Sequence, residues 1–104
     1  MTAAATTATP TKEQFFQQLE QIFRVTSPNG VEFEMSLVEF NDIVDSDTQE
    51  TFSLLFKAPS ETDPEQTTYT VSNDGIGEQL IFMAPVKKDD SGLYFEAIYN
   101  RLKQ

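Results

Sequence analysis

Residues 50–59 read ETFSLLFKAP, and this stretch decides the fold class. Phe52, Leu54 and Phe56 recur at every second position, which is the spacing of a β-strand that buries one of its faces. Pro59 ends the pattern, because proline lacks the backbone N–H that a neighbouring strand would bind. The stretch therefore predicts a strand whose apolar face lies in the core of a β domain.

A similar stretch follows further along the chain, where LLFKAP at 54–59 returns as LIFMAP at 80–85. Each is followed by an acidic segment and then by a strand that carries a tyrosine, Tyr69 or Tyr94. We interpret the pair as two similar hairpins of one small sheet or barrel, and convergence on a good strand end explains it as well as duplication does. Each proline is expected to stop strand pairing or to lie at a sheet edge. The second stretch predicts one shared apolar face made of Leu80, Phe82, Ala84 and Val86.

One helix is expected before the strands. Thr11 is a good N-cap, and Gln14 stands three positions later, as in a capping box. The apolar residues that follow recur at three- and four-residue spacing and predict an amphipathic helix of about three turns. The helix is expected to end near Gln21, where IFRVT at 22–26 favours a strand. These apolar residues are Phe15, Phe16, Leu19, Ile22 and Phe23.

The segment VEFEMSLVEF at 31–40 alternates in polarity and then reverses its phase. Val31, Phe33, Met35 and Leu37 share one parity, whereas the next apolar residues fall on the other. A β-bulge near Leu37 and Val38 would reconcile the two halves. Further strands are predicted around Tyr69 and Val71 and at Leu93, Phe95, Ala97 and Tyr99.

Turn signals at SPNG, NDGIG and KKDDSG separate these strands, which number about six. The fold class is mainly β: a small antiparallel barrel or sandwich of about six strands with one N-terminal amphipathic helix. Residues 1–10 are rich in Ala and Thr and predict a flexible arm. Residues 11–104 predict a single β domain that includes the helix.

The chain carries 17 acids and 7 bases, for a formal net charge of -10. Between Val25 and Val86 the only base is Lys57. An acidic body repels phosphate backbones, so nucleic acid is not an expected partner. A basic protein surface is one, although solubility alone also explains the charge. The candidate partner-binding residues are Glu32, Glu34, Glu39, Asp42, Asp45 and Asp47.

The composition gives little support to an enzyme. With no Cys and no His, thiolate nucleophiles, Ser-His-Asp triads and Cys or His metal sites are excluded. A calcium loop that began at Asp45 would need glycine at its sixth position and glutamate at its twelfth, and these positions hold Glu50 and Phe56. Glu32 and Glu34 could act as paired acids, but on an amphipathic strand they are more simply its solvated face. We therefore predict no catalytic, cofactor-binding or metal-binding residues.

The N-terminal segment has neither the basic start nor the apolar run of a secretory signal. No stretch approaches the roughly 20 apolar residues of a membrane helix, so no membrane partner is expected. We expect synthesis in the cytoplasm without a signal peptide, with a virion or an extracellular assembly as an alternative final location.

The core and turn residues from Phe52 onward resemble an uncharacterised bacterial family of small β domains of about this length. The resemblance rests on FSLLFKAP at 52–59, TYTV at 68–71, Gly77, IFMAPV at 81–86 and YFEAIYN at 94–100, with a helix like TKEQFFQQL before the first strand. It covers roughly residues 11–101. It implies a domain without a catalytic signature, in a family often found beside fibre proteins of the phage-tail-collar type.

Three functional hypotheses follow. The first is a non-enzymatic structural or accessory component of a phage-like tail or fibre assembly, whose partner is another component or a second copy and whose contacts are the arm and an exposed strand edge. The second is an acidic adaptor or inhibitor that docks on a basic protein surface. The third is an enzyme, which a screen with hydrolase substrates would test.

Overall fold

The computed structural model of the chain describes residues 9–103 as one helix and six strands. All six strand pairings are antiparallel, which confirms the predicted mainly β fold of about six antiparallel strands. The elements are α1 (Lys12–Phe16), β1 (Ile22–Thr26), β2 (Glu32–Asp45), β3 (Gln49–Ala58), β4 (Thr67–Asn73), β5 (Gly77–Asp89) and β6 (Gly92–Leu102).

The strand pairings form a ring. Their order is β1-β2-β3-β6-β5-β4, and β4 pairs back onto β1, so the sheet is a closed barrel. Because neighbouring strands run in opposite directions, the β1–β2, β3–β4 and β5–β6 connections all lie at one end, which we call the mouth. The helix and the other two connections lie at the opposite end, which we call the helix end.

The interior is filled by the residues that the alternation of the strands predicts. Phe52, Leu54 and Phe56 are fully buried, and Tyr69 and Val71 face them from the other side of the barrel. Burial of each large apolar side chain contributes about 1.5–3 kcal/mol, so the interior supplies most of the driving force for folding. The predicted bulge in β2 is confirmed as a register shift between Leu37 and Glu39, and a second shift lies between Asp42 and Val44.

The helix is much shorter than predicted. Its capping box of Thr11 and Gln14 is present, but α1 spans only 5 residues and gives way to tight turns. Glu20 has a φ of 68°, and its N–H donates to the carbonyl of Leu37 at 2.6 Å. This bond directs the chain into β1, where Phe23 is buried as a strand residue rather than a helical one. The strand predicted at residues 22–26 is therefore confirmed as β1, whereas the helix predicted over residues 17–21 is wrong.

Phe15 closes the helix end. Its ring lies 6.0 Å from that of Phe52 and 5.1 Å from that of Tyr99. The guanidinium of Arg101 lies over Tyr99 at 4.9 Å and donates to the Pro10 carbonyl at 2.7 Å. Pro10 is therefore held against the barrel, whereas residues 1–8 of the predicted flexible arm lie outside the described residues.

The predicted apolar face of the second repeat is wrong. Ile81 and Met83 are buried, whereas Leu80 is 74% exposed and Phe82 is 56% exposed. The turn between β4 and β5 pairs Asn73 with Gly77, which sets Tyr69 opposite Ile81. Residues that face each other across a ladder share one side of the sheet, so Tyr69 brings Ile81 into the interior and sends its neighbours outward.

The two repeats also differ in their connections. The second forms a hairpin, because β5 pairs with β6, but β3 pairs with β2 and β6 rather than with β4. The interpretation as two similar hairpins is therefore wrong. Pro59 does end its strand, whereas Pro85 lies inside β5, opposite Phe95 and beside a register shift. A bulge tolerates the missing N–H, so Pro85 needs no sheet edge.

Candidate functional site

The mouth of the barrel contains a pocket of about 570 Å³. Its apolar lining comes from Val31, Phe33, Pro59 and Tyr69, and none of the described residues that line it is a lysine or an arginine. Five carboxylates surround this apolar floor. They are Glu32, Glu34, Glu61, Asp63 and Glu65.

One side of the pocket is built by the β1–β2 turn. Ser27 accepts from the Gly30 N–H at 2.9 Å through its carbonyl and from the Val31 N–H at 3.1 Å through its hydroxyl. Gly30 has a φ of +86°, a conformation that glycine adopts without strain. The turn leaves Val31 57% exposed beside the pocket, although alternation placed it with the buried residues of β2.

The other side is the connection 59–66, which links two strands on opposite sides of the ring and must cross the mouth. It is folded by hydrogen bonds from the Thr62 N–H to the Pro59 carbonyl and from the Glu65 N–H to the Asp63 carbonyl, each at 3.0 Å. Tyr69 donates its hydroxyl to the Glu65 carbonyl. The connection is thus fixed to the barrel, and its three acids are held at the mouth.

Tyr69 joins the pocket to the core. Its ring centroid lies 6.0 Å from that of Phe33 and 5.5 Å from that of Phe95, both in edge-on contacts. Burial, followed by the charges of Glu65 and Asp63, raises the pKa of the Tyr69 phenol. The phenol therefore stays protonated and keeps its hydrogen bond, and the floor of the pocket carries no charge of its own.

The six acids predicted to bind a partner do not form one continuous face. Glu32 and Glu34 lie at the mouth pocket, and Arg24 of β1 stands opposite Glu34 in the ladder. Glu39 is exposed on the outside of β2, opposite Leu55.

The remaining three predicted acids lie near the helix end. Asp47 is exposed in the β2–β3 turn. Lys12, which is only 8% exposed, forms ion pairs with Asp42 at 3.1 Å and with Asp45 at 2.7 Å, and Lys103 also pairs with Asp45. Asp42 and Asp45 are therefore neutralised by lysines of the chain itself.

These ion pairs shift the pKa values of the groups involved. Hydrogen bonds from Lys103 and then Lys12 lower the pKa of Asp45 to about 2. The hydrogen bond with Asp45 is also the main cause that raises the pKa of Lys12. Both groups thus remain charged across the physiological range, and a basic partner would have to displace the two lysines to reach Asp45.

A second surface lies on the outer wall of the barrel. We call Leu80, Phe82 and Val86 of β5, together with Ile98 of β6, the wall patch; all four are at least 50% exposed. Leu80 and Phe82 stand opposite the uncharged Thr70 and Thr68 of β4. The patch was missed because the second repeat was assigned to the core.

Within residues 9–103, no group of three or more acids is arranged to hold a metal ion. No helix in that part of the chain is long and apolar enough to cross a membrane. The segment 45–50, whose oxygens prompted the comparison with a calcium loop, forms the end of β2, the following turn and the start of β3.

Residues 10–99 match the family described as Domain of unknown function (DUF6916), and the chain belongs to that family. The match confirms the expectation of an uncharacterised family of small domains. No curated protein and no solved structure matches the chain.

Proposed function

We propose that this domain is a non-enzymatic structural or accessory component of a protein assembly and acts through protein–protein contacts. The observation that carries the proposal is the wall patch, in which Leu80 is 74%, Phe82 56% and Ile98 62% exposed. Exposed apolar side chains that lie together on one face are typical of surfaces that other proteins cover. The phage-like tail or fibre setting rests on the resemblance described above and belongs to the same proposal.

The closed sheet changes where such contacts can form. Among the described residues, every strand has two paired neighbours, so no whole strand forms an edge. The stretches that lack a partner on one side are parts of strands, such as residues 38–45 of β2 on the side of β1. A partner could extend the ladder only along such a partial stretch without breaking a pairing. Contact through side chains of the wall is the other route, and it suits a rigid barrel because the surface needs no rearrangement before it binds.

The charge distribution favours the wall over the rest of the surface for self-association. Two copies of a chain with a net charge of -10 repel each other wherever their acids meet. Leu80 and Phe82 lie between uncharged threonines on β4 and the half-buried Ala84 further along β5. Burial of this region therefore brings apolar groups together, with Glu78 of β5 and Glu96 of β6, opposite Ala84, at its margin.

Light scattering over a range of protein and salt concentrations tests the proposal. We expect the mass to rise to a defined oligomer or filament, and the double variant Leu80→Ser, Phe82→Ser to return it to the monomer. The matched control is Ile22→Ser, Ile43→Ser, which removes two equally exposed apolar side chains elsewhere, at 57% and 56% exposure. Equal masses for wild type and wall variant at every concentration would contradict self-assembly through the wall.

If the wild type is a monomer, the partner must be a different protein. The same two double variants then serve as baits against extracts that contain candidate fibre or tail components. Loss of a captured component with the wall variant alone would support the proposal, whereas equal capture by both variants would contradict a role for the wall.

The mouth pocket favours a second candidate function, an acidic adaptor or inhibitor that docks on a basic protein. Five carboxylates meet there, and none of them takes part in the four ion pairs formed among residues 9–103. Such binding should weaken as salt rises past about 0.15 M, where exposed charges are screened over roughly 8 Å. Binding of a basic protein that is insensitive to salt would contradict this candidate.

A further inference from the structure

We propose that the mouth pocket binds a segment of a partner protein in which an apolar or aromatic side chain is flanked by lysine or arginine. This inference rests on the second candidate function and deepens it, since it names the site and the chemistry of the segment.

The shape calls for an apolar group. The pocket measures about 570 Å³, within the roughly 300–1,000 Å³ range of sites that enclose a small ligand or a few side chains. Its floor combines the ring of Phe33, the exposed Val31 and the exposed Pro59, above the buried Tyr69. Because the Tyr69 hydroxyl is already bound to the Glu65 carbonyl, the floor offers mainly apolar contact.

The rim calls for positive charge on both flanks of that group. Glu32 and Glu34 stand on one side, on β2, and Glu61, Asp63 and Glu65 stand on the other, in the connection 59–66. An extended segment that crosses the mouth would place its central side chain over the floor and its neighbours over the two acidic sides. Lysine and arginine suit these positions, because long apolar stems carry their charged ends to the rim.

Other ligand classes fit less well. A metal ion held by acids needs three or more of their side chains converging on one point, and no such group exists among residues 9–103. Nucleic acid would bring phosphates towards five carboxylates. A purely apolar segment would leave the charges of the rim unpaired beside it. The pocket thus combines two requirements that a basic segment with one central apolar residue meets together.

The pocket is already formed in the unbound protein. The Ser27–Val31 turn, the two backbone bonds of the connection 59–66 and the Tyr69 hydroxyl fix its sides. A ligand therefore does not have to order the loop, which removes part of the entropic cost of binding. The expected complex forms with little change in the barrel.

The test uses the full chain and fluorescent peptides that carry one phenylalanine with two lysines on each side. Two reference peptides replace either the phenylalanine by serine or all the lysines by glutamate. Fluorescence anisotropy should detect binding of the first peptide, weaker binding of the serine peptide and none of the glutamate peptide. Equal affinity for the phenylalanine and serine peptides would overturn the role of the apolar floor.

Two triple variants locate the site. The pocket variant is Glu61→Gln, Asp63→Asn, Glu65→Gln, and the control is Asp47→Asn, Glu78→Gln, Asp90→Asn, which removes the same charge from exposed positions that do not line the pocket. We expect the pocket variant to weaken binding roughly tenfold, since each exposed charge pair contributes only modestly, and the control to change it less than about twofold.

The possible failures are distinct. If both triple variants weaken the lysine peptide equally, the pocket inference is overturned, but an acidic adaptor that acts through its overall charge survives. If no peptide binds at up to about 1 mM, both the inference and the adaptor function are overturned. Val31→Ser gives an independent check of the floor, because this exposed position can change without affecting the core.

Discussion

LLFKAP at 54–59 and LIFMAP at 80–85 share four identical residues. The matching leucines and phenylalanines nevertheless face the interior of the barrel in the first stretch and its exterior in the second. In the first stretch Leu54 and Phe56 are fully buried; in the second Leu80 is 74% and Phe82 56% exposed. The first leads into a connection that crosses the mouth, and the second into a tight hairpin. Similar local sequence has thus produced core in one place and candidate contact surface in the other.

The difference is caused by register rather than by local preference. Both parities of the second stretch are apolar, so alternation cannot choose between Leu80 with Phe82 and Ile81 with Met83. The β4–β5 turn makes the choice, because it sets Tyr69 opposite Ile81. Which residues of β5 face the interior therefore follows from its pairing with β4, whose alternation is unambiguous. The apolar residues that remain on the outside become candidates for binding.

The largest expected effect comes from truncating the same ring in the two repeats. Phe56→Ala should lower the free energy of unfolding by about 3–5 kcal/mol, because it leaves a cavity in the core. Phe82→Ala should change it by less than about 1 kcal/mol, because that ring is exposed. Urea unfolding measures both, and similar losses for the two variants would contradict the opposite facing of the repeats.

A smaller effect is expected at the mouth, where the start of β6 meets the end of the first repeat. A Cβ added at Gly92 would lie 2.4 Å from the carbonyl oxygen of Ala58, the last residue of β3. Backbone would have to move, so Gly92→Ala should lower the free energy of unfolding by about 1–3 kcal/mol. Ser91→Ala, at the exposed neighbouring position, is the control. A fully stable Gly92→Ala variant would argue against this close approach.

The turn that orients the second repeat is tested by Asn73→Ala. The Asn73 side chain accepts from the N–H groups of Gly75 and Ile76, each at 2.9 Å, and donates to Gln18 at 2.9 Å. Loss of these bonds should lower the free energy of unfolding by about 1–2 kcal/mol. Asn29→Ala, in an exposed turn at the mouth, should have little effect, and equal losses would show that the β4–β5 turn has no special role.

Low pH tests the ion pairs that Asp45, at the end of β2, forms with two lysines. Asp45 has an ordinary pKa of 3.8 and a folded pKa of about 2. A lowered folded pKa means that its ion pairs stabilise the fold fully above pH 3.8 and that this contribution disappears as the pH falls towards 2. The urea midpoint of the wild type should fall in that window more steeply than that of Asp45→Asn. Parallel curves would contradict the pairing with Lys12 and Lys103.

Much of the barrel could be predicted from the sequence. The alternation around Phe52, the phase reversal at Leu37 and the capping box at Thr11 each have one physical reading, and each prediction holds in the structure. The end of the helix could not be predicted, because the bond from Glu20 to Leu37 joins residues that are distant in sequence. The face of β5 could be derived only after its register with β4 was known.

The candidate site was less predictable for the same reason. Glu32 and Glu34 were chosen from their strand pattern, but their association with Glu61 and Glu65 depends on a connection that crosses the mouth. Consecutive strands pair more often than not, so β3 and β4 were expected to form a hairpin, which would have left no such crossing. Charge counting alone also grouped Asp45 with free acids, although lysines at both ends of the chain neutralise it.

Thiol labelling tests most directly the claim that the two repeats face opposite sides. The chain has no cysteine, so Leu54→Cys and Leu80→Cys each introduce a single reactive group. In dilute, monomeric protein we predict that the thiol at position 80 reacts with an aromatic disulfide reagent nearly as fast as in urea. The thiol at position 54 should react only as fast as the barrel opens. Equal native-state rates of labelling at the two positions would contradict the claim that Leu54 faces the interior and Leu80 the exterior.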